Sequence, residues 1–219
     1  MNKILIFTAL FTFGTMVGCS TMPEKIEPSL LLEAAADQNT QIQQLNRQII
    51  SKREESLALQ KAVSIAEAVI AVSSEQVRLY EQNGKLLNAQ FSLYTVQSVK
   101  EKMDIASKSI EANRKHIVQE KANGEYCAVY RDQLTAEKEL REQELAVLLS
   151  QLDLLKAKIA SEYQVKHQEK KPIIVEPYQK YNEDMVRQLS GKQAELKIAA
   201  EKTGRSKDAL VKTGYGEQP

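Results

Sequence analysis

Tryptophan is absent from this chain, and of its four Phe only Phe91 lies beyond residue 19. Large aromatic rings help fill a wide interior, so thin seams between helices are expected rather than a thick globular core. Proline is scarce too: there are 5, with none between Pro28 and Pro172, and nothing in that stretch forces a helix to stop. The two His, His116 and His167, stand in no H-E-x-x-H or similar spacing, so no metal site is expected. An excess of one charge is also missing. With 30 basic and 29 acidic residues, no field draws the protein onto nucleic acid or anionic lipid.

What is plentiful is Ala, Leu, Gln, Glu and Lys, the residues that lose least on entering a helix. The expected fold class is all-α: an elongated antiparallel helical hairpin or coiled-coil bundle of three to four long helices.

The opening residues have their own order. One charge, Lys3, precedes an apolar run from Ile4 to Val17 that ends in Gly18 and Cys19. Charged, apolar, then cleavable is the order of a secretory signal. A membrane span would need about 20 apolar residues, and this run breaks at Cys19-Ser20 into Pro23, Glu24 and Lys25.

Met16-Val17-Gly18-Cys19 resembles the lipobox of bacterial lipoproteins, with Met where Leu is commoner. The resemblance covers residues 1–20. It implies that residues 1–18 are removed, and that Cys19 takes a diacylglycerol on sulfur and a further acyl chain on its new amino terminus. Several acyl chains hold a protein at a membrane where one would not. In the sorting rule of that class, Ser20 in place of Asp implies the periplasmic face of the outer membrane rather than the inner membrane. Cleavage takes away Lys3 and no acid, leaving 29 basic against 29 acidic residues.

Residues 19–29, with Pro23 and Pro28, read as a tether that reaches at most about 35 Å. Residues 30–166 read as the coiled-coil-like region, with Ser29 as its cap and Glu33 in its first turn. Ile42, Ile49, Val63, Ile70 and Val77 form one heptad row, and Leu45, Leu59, Ala66 and Tyr80 the other. These are a and d positions of a coiled coil, interrupted at Lys52, Ser56 and Ser73. A second row runs through Ala89, Val96, Met103, Ile110 and Ile117, flanked by Val99 and Ala106.

Asn83-Gly84 and Asn123-Gly124 can take left-handed backbone angles, so tight turns between antiparallel helices are expected there. The competing reading carries one helix through each Gly at about 1 kcal/mol apiece. From Tyr126 to Tyr163 the chain is at its most apolar, with Leu134, Leu140, Leu145, Leu148, Leu149, Leu152, Leu155 and Ile159; the centre of packing is expected there. Residues 167–177 read as a proline-bounded hinge in which Ile173, Ile174 and Val175 are extended. Residues 178–203 form a last helix, opened by Pro177 and facing inward with Tyr178, Tyr181, Met185, Leu189 and Leu196. Residues 204–219 read as a disordered tail.

No catalytic constellation is visible. His116 and Cys127 could pair as base and nucleophile, but no second feature supports it. Gly191-Lys192 lacks the partner Gly and the following Ser or Thr of a phosphate loop, and the region from Asn182 to Gln193 has the wrong spacing for a peptidoglycan-binding module of the outer-membrane-protein-A-like kind. Cys127 is the one thiol left once Cys19 is lipidated. An odd Cys in an oxidising compartment suggests an intermolecular disulfide or a small buried hydrophobe.

The expected function is therefore structural. No enzyme activity, no cofactor beyond the lipid on Cys19, and no nucleic-acid or small-molecule partner is expected. The partners are the membrane, and other envelope proteins or a second copy met through the coiled-coil seam. Alternatives are an accessory subunit of a secretion, conjugation or efflux assembly, and a ligand carrier or enzyme whose site has no recognisable spacing.

Overall fold

Side chains that recur in alternating steps of three and four stay on one side of a helix, and two such helices bury them against each other. That rule accounts for the architecture. A computed structural model of the chain describes residues 22–26, 35–163 and 172–215. Within them run three α-helices: α1 (Ala36–Val96), α2 (Lys100–Glu162) and α3 (Glu176–Lys212). The all-α hairpin bundle is what the helical composition led us to expect.

α1 and α2 form one antiparallel hairpin about 90 Å long, from the 61 residues of α1 at about 1.5 Å each. The least exposed positions of α1 step from Ile42 through Leu45, Ile49, Leu59, Val63, Ala66, Ile70, Val77 and Tyr80 to Phe91 and Tyr94. This is the heptad register of the sequence, continued by two further turns.

The expected turns at Asn83-Gly84 and Asn123-Gly124 do not exist. Both dipeptides lie inside continuous helices, and the reversal is at 97–99, where Ser98 takes φ 54°. Lys102 Nζ lies 5.6 Å from the centre of the Tyr94 ring across this turn. The seam explains Gly84. A Cβ at Gly84 would meet Asn113 Nδ2 of α2 at 3.0 Å, and one at Gly124 would meet Ser73 Cβ of α1 at 3.8 Å. The first contact is tight, so Gly84 lets α2 approach at a polar layer, which offsets its helix cost of about 1 kcal/mol; the second is ordinary van der Waals contact, and nothing in the structure requires Gly at 124.

Moving the turn also splits the second apolar row. Met103, Ala106, Ile110 and Ile117 face α1, whereas Ala89 and Val96 belong to α1 and point to solvent, Val96 with 83% of its surface open.

α2 is the middle layer. α1 packs on it throughout, α3 packs on it from Gln119 towards its C-terminal end, and the backbones of α1 and α3 do not meet. Contacts along α3 show that it runs antiparallel to α2. Ser150 Oγ donates to Asn182 Oδ1 at 2.9 Å, Lys192 Nζ to Glu139 at 2.8 Å, and Gln119 Nε2 to the Thr213 carbonyl at 3.1 Å. Being covered on two sides, α2 from Leu134 to Ala160 holds most of its buried residues, in the stretch where sequence placed the centre of packing.

α3 extends past the expected end at residue 203. Thr203 and Leu210 are buried, continuing its inward row, while Gly204 faces open space and breaks nothing. Residues 204–212 are therefore helix rather than disordered tail; residues 216–219 lie outside the described residues. Pro177 stands in the first turn of α3 as expected. Ile173 and Ile174 are non-helical, but Val175 caps α3 with helical angles, φ −77° and ψ −31°, because the pre-proline restriction falls on Glu176 instead.

Candidate interaction surfaces of the rod

The polar residues inside the seam come first, since buried polar groups must be paired. Ser73 is buried, accepts a hydrogen bond from Asn123 Nδ2 at 2.8 Å and lies 3.5 Å from Glu120 Oε2. Asn113 is buried as well. Its Nδ2 donates to the Tyr80 carbonyl at 2.8 Å, and its Oδ1 accepts from Asn83 at 3.1 Å. Beside this layer the Tyr80 and His116 rings stack at 5.2 Å.

Lys52, another interruption of the apolar row, is met by an ion cluster between α1 and α2. Lys52 Nζ reaches Glu55 at 2.9 Å and Glu144 at 3.0 Å, and Arg141 reaches Glu144 at 3.0 Å and Glu55 at 3.2 Å. Burial of Glu144 opposes its ionisation, but hydrogen bonds from Lys52 and Arg141 outweigh it and hold the carboxyl below the ordinary glutamate value. On the other flank, Lys192 is pushed up to about 12 by its hydrogen bonds to Glu139 and Glu195.

The base end of the rod gathers its densest core. Ile26 is buried with Ala157, Ile159, Ala160, Ile173 and Tyr178, and the Tyr178 hydroxyl donates to the Glu24 carbonyl at 2.6 Å. Residues 22–26 are thus a docked strap and not a free tether. Burial raises the pKa of Asp153 in this region, against the pull of Lys156 and Lys25.

The lipobox residues Met16, Val17, Gly18 and Cys19, and also His167, lie outside the described residues. Cys127 sits mid-helix on α2 rather than after a turn, and lines an apolar groove of about 340 Å³ with Ala62, Ile65, Val69, Tyr126 and Tyr130. Its thiol is pushed up by burial and by the charge of Glu120, the reverse of what activates a nucleophile. His116 is eleven residues away along the same helix, about 16 Å, so the two do not form a pair. Among the described residues no group of three His, Cys, Asp or Glu is placed to hold a metal.

Sequence reasoning did not single out the outer side of α1. Ile65, Val72, Leu79, Leu86 and Leu93 each expose more than half their surface, at steps of seven that could have been read beside the inner rows. α1 is also the one described helix long and apolar enough to cross a membrane by length and composition, which follows from its carrying apolar rows on two sides. In comparisons with known proteins, the chain matches no family model, no curated protein and no solved structure.

Proposed function

We propose that this chain is a lipid-anchored envelope protein that carries a helical rod away from the membrane and contacts other envelope proteins along it. One observation carries the reading: the strap at residues 22–26 is docked at the end of the rod opposite the turn at 97–99. Cys19 precedes Met22 by three residues, so acyl chains on Cys19 would keep that end within about 10 Å of the bilayer. The turn would then stand about 90 Å away. The lipobox resemblance at Met16 to Cys19 supports the anchor, and Ser20 supports the periplasmic face of the outer membrane. The role is structural, as scaffold or spacer, with no chemistry assigned to it.

A second reading, an accessory subunit of a secretion, conjugation or efflux assembly, is favoured by the exposed Leu93 and Val96 near the turn, which suit a docking partner at that distance. One experiment addresses both. Inner and outer membranes are separated after in-cell crosslinking, and the Cys19 peptide and the linked partners are identified by mass spectrometry. Acylated Cys19 in the outer membrane is expected. Repeated recovery of one envelope complex selects the accessory subunit, whereas links confined to this chain select the autonomous scaffold. An unmodified Cys19 peptide overturns the anchor.

A further inference from the structure

We infer that α1 carries a second coiled-coil seam, and that its occupant is α1 of a second copy of this chain, parallel and in register, packed through Ile65, Val69, Val72, Leu79, Leu86 and Leu93. The positions come from the geometry of the helix already described. The row facing α2 passes through Ala66, Ile70, Ser73, Val77 and Tyr80. The row at Ile65, Val72, Leu79, Leu86 and Leu93 lies about 100° round the helix from Ala66, Ser73 and Tyr80, on the flank of the α2 seam, and each of its members keeps more than half its surface open. Between its members, at the four-residue step, stand Val69, Gln76, Asn83 and Gln90, all exposed. The two sets alternate by four and three over residues 65–93, the spacing of a coiled-coil seam.

Three features select a second copy as the occupant. First, the seam contains no charged residue, whereas the solvent face of a helix is ordinarily the charged one. An uncharged row lets identical copies meet without repulsion, and it offers no charge pattern by which a different partner would be chosen. Second, the polar members are amides spaced seven apart. In a parallel, in-register pair Gln76 and Gln90 each meet their own counterpart, and an amide both donates and accepts, while Asn83 keeps its Nδ2 on Asn113 of α2. One core position carries Ile65, Val72, Leu79, Leu86 and Leu93 and the other Val69 and the amides, and polar side chains at one core position fix the register of a coiled coil at a cost in stability. Third, the area suffices. Six aliphatic side chains open by 41 to 66%, together with three amides, offer roughly 800 Å², the area per partner of a standard-size interface.

The apolar groove at Cys127 lies at the proximal end of this seam, so Tyr126 and Tyr130 would widen the contact there. The pairing rests on α1 alone and does not depend on the lipid anchor.

The test uses the full chain in cells, in a Cys127→Ser background, with single cysteines introduced by Ile65→Cys, Leu93→Cys or, on the opposite side of α1, Gln60→Cys. After brief oxidation, the linked peptides are identified by mass spectrometry, separately from the state of Cys19. Dimers joined through position 65 and through position 93, with none through position 60, are expected. Adding Leu79→Glu and Leu86→Glu should lower the dimer yield about tenfold or more while protease resistance of the rod is kept, since both side chains are exposed in the single chain. Four outcomes would overturn the inference: equal linking at position 60, no dimer from a folded protein, links only between copies carrying cysteine at 65 and copies carrying it at 93, which would mean antiparallel packing, or loss of membrane association by the Glu variants without any dimer, which would give the seam to lipid.

Discussion

Asn113 of α2 is fitted against Gly84 of α1: its Nδ2 donates to the Tyr80 carbonyl at 2.8 Å and would lie 3.0 Å from a Cβ at position 84. Two opposite effects meet at this position. Gly84→Ala gains about 1 kcal/mol in helix propensity, but displacing a buried amide from its partners costs about 1–3 kcal/mol. We expect the variant to be net destabilised by about 1 kcal/mol in urea unfolding. In an Asn113→Ala background the same change should become stabilising. If it destabilises equally in both backgrounds, the contact does not explain the glycine.

Gly191 and Gly204 are the contrasting case, with open space where a Cβ would go. Gly191→Ala and Gly204→Ala should each raise stability by about 0.5–1 kcal/mol, seen as higher urea midpoints at unchanged slope. For Gly204 this also tests whether residues 204–212 are helix in solution, because a disordered tail would gain nothing.

The ion cluster and the base of the rod should answer to pH in opposite ways. Glu144 is held below the ordinary value of 4.5, so its contribution is present above that value and is lost as pH falls through the lowered one. Asp153 is raised from 3.8, so it weighs against folding at neutral pH and ceases to do so as pH falls through the raised value. At pH 7, Glu144→Gln should therefore destabilise by up to about 1 kcal/mol, and Asp153→Asn should be neutral or stabilising by a similar amount. Both differences should fade in acid, which pH-dependent thermal melts would show.

Tyr178→Phe removes the hydroxyl that donates to the Glu24 carbonyl. The strap should loosen by about 1 kcal/mol, seen as faster amide exchange at Ile26 with α1 to α3 otherwise unchanged. Equal exchange in both proteins would mean that apolar burial of Ile26 alone holds the strap.

Cys127 should alkylate more slowly at pH 7 than a free thiol, with a rate that climbs only above the ordinary thiol range, since burial first and Glu120 second raise its pKa. A fast reaction at neutral pH would put the side chain in solvent and revive the intermolecular disulfide.

Much of this architecture was legible before any coordinates. Helix-forming composition and the rows at Ile42 to Val77 and Leu45 to Tyr80 specify a long amphipathic helix, because a period of three and four has one structural meaning. The polar members Lys52 and Ser73 were visible as interruptions, but their partners Glu144 and Asn123 were not, since each comes from a helix that is remote in sequence. The outer row of α1 was legible in principle. It was passed over because nothing in a sequence tells which of two apolar rows a neighbouring helix will cover.

The sequence by itself determined the all-α class, the register of the inner seam, the apolar weight of residues 134–159 and the lipobox resemblance at Cys19. All of these depend on residue type and spacing within one segment. The tertiary structure decided that the chain reverses at 97–99 and not at Gly84 or Gly124, that α2 is the middle layer, that the strap at 22–26 is docked, and that α3 runs to Lys212. Local chemistry makes Asn-Gly equally fit for a turn or for a notch in a seam. Only the approach of Asn113 from the opposite helix makes it a notch at Gly84.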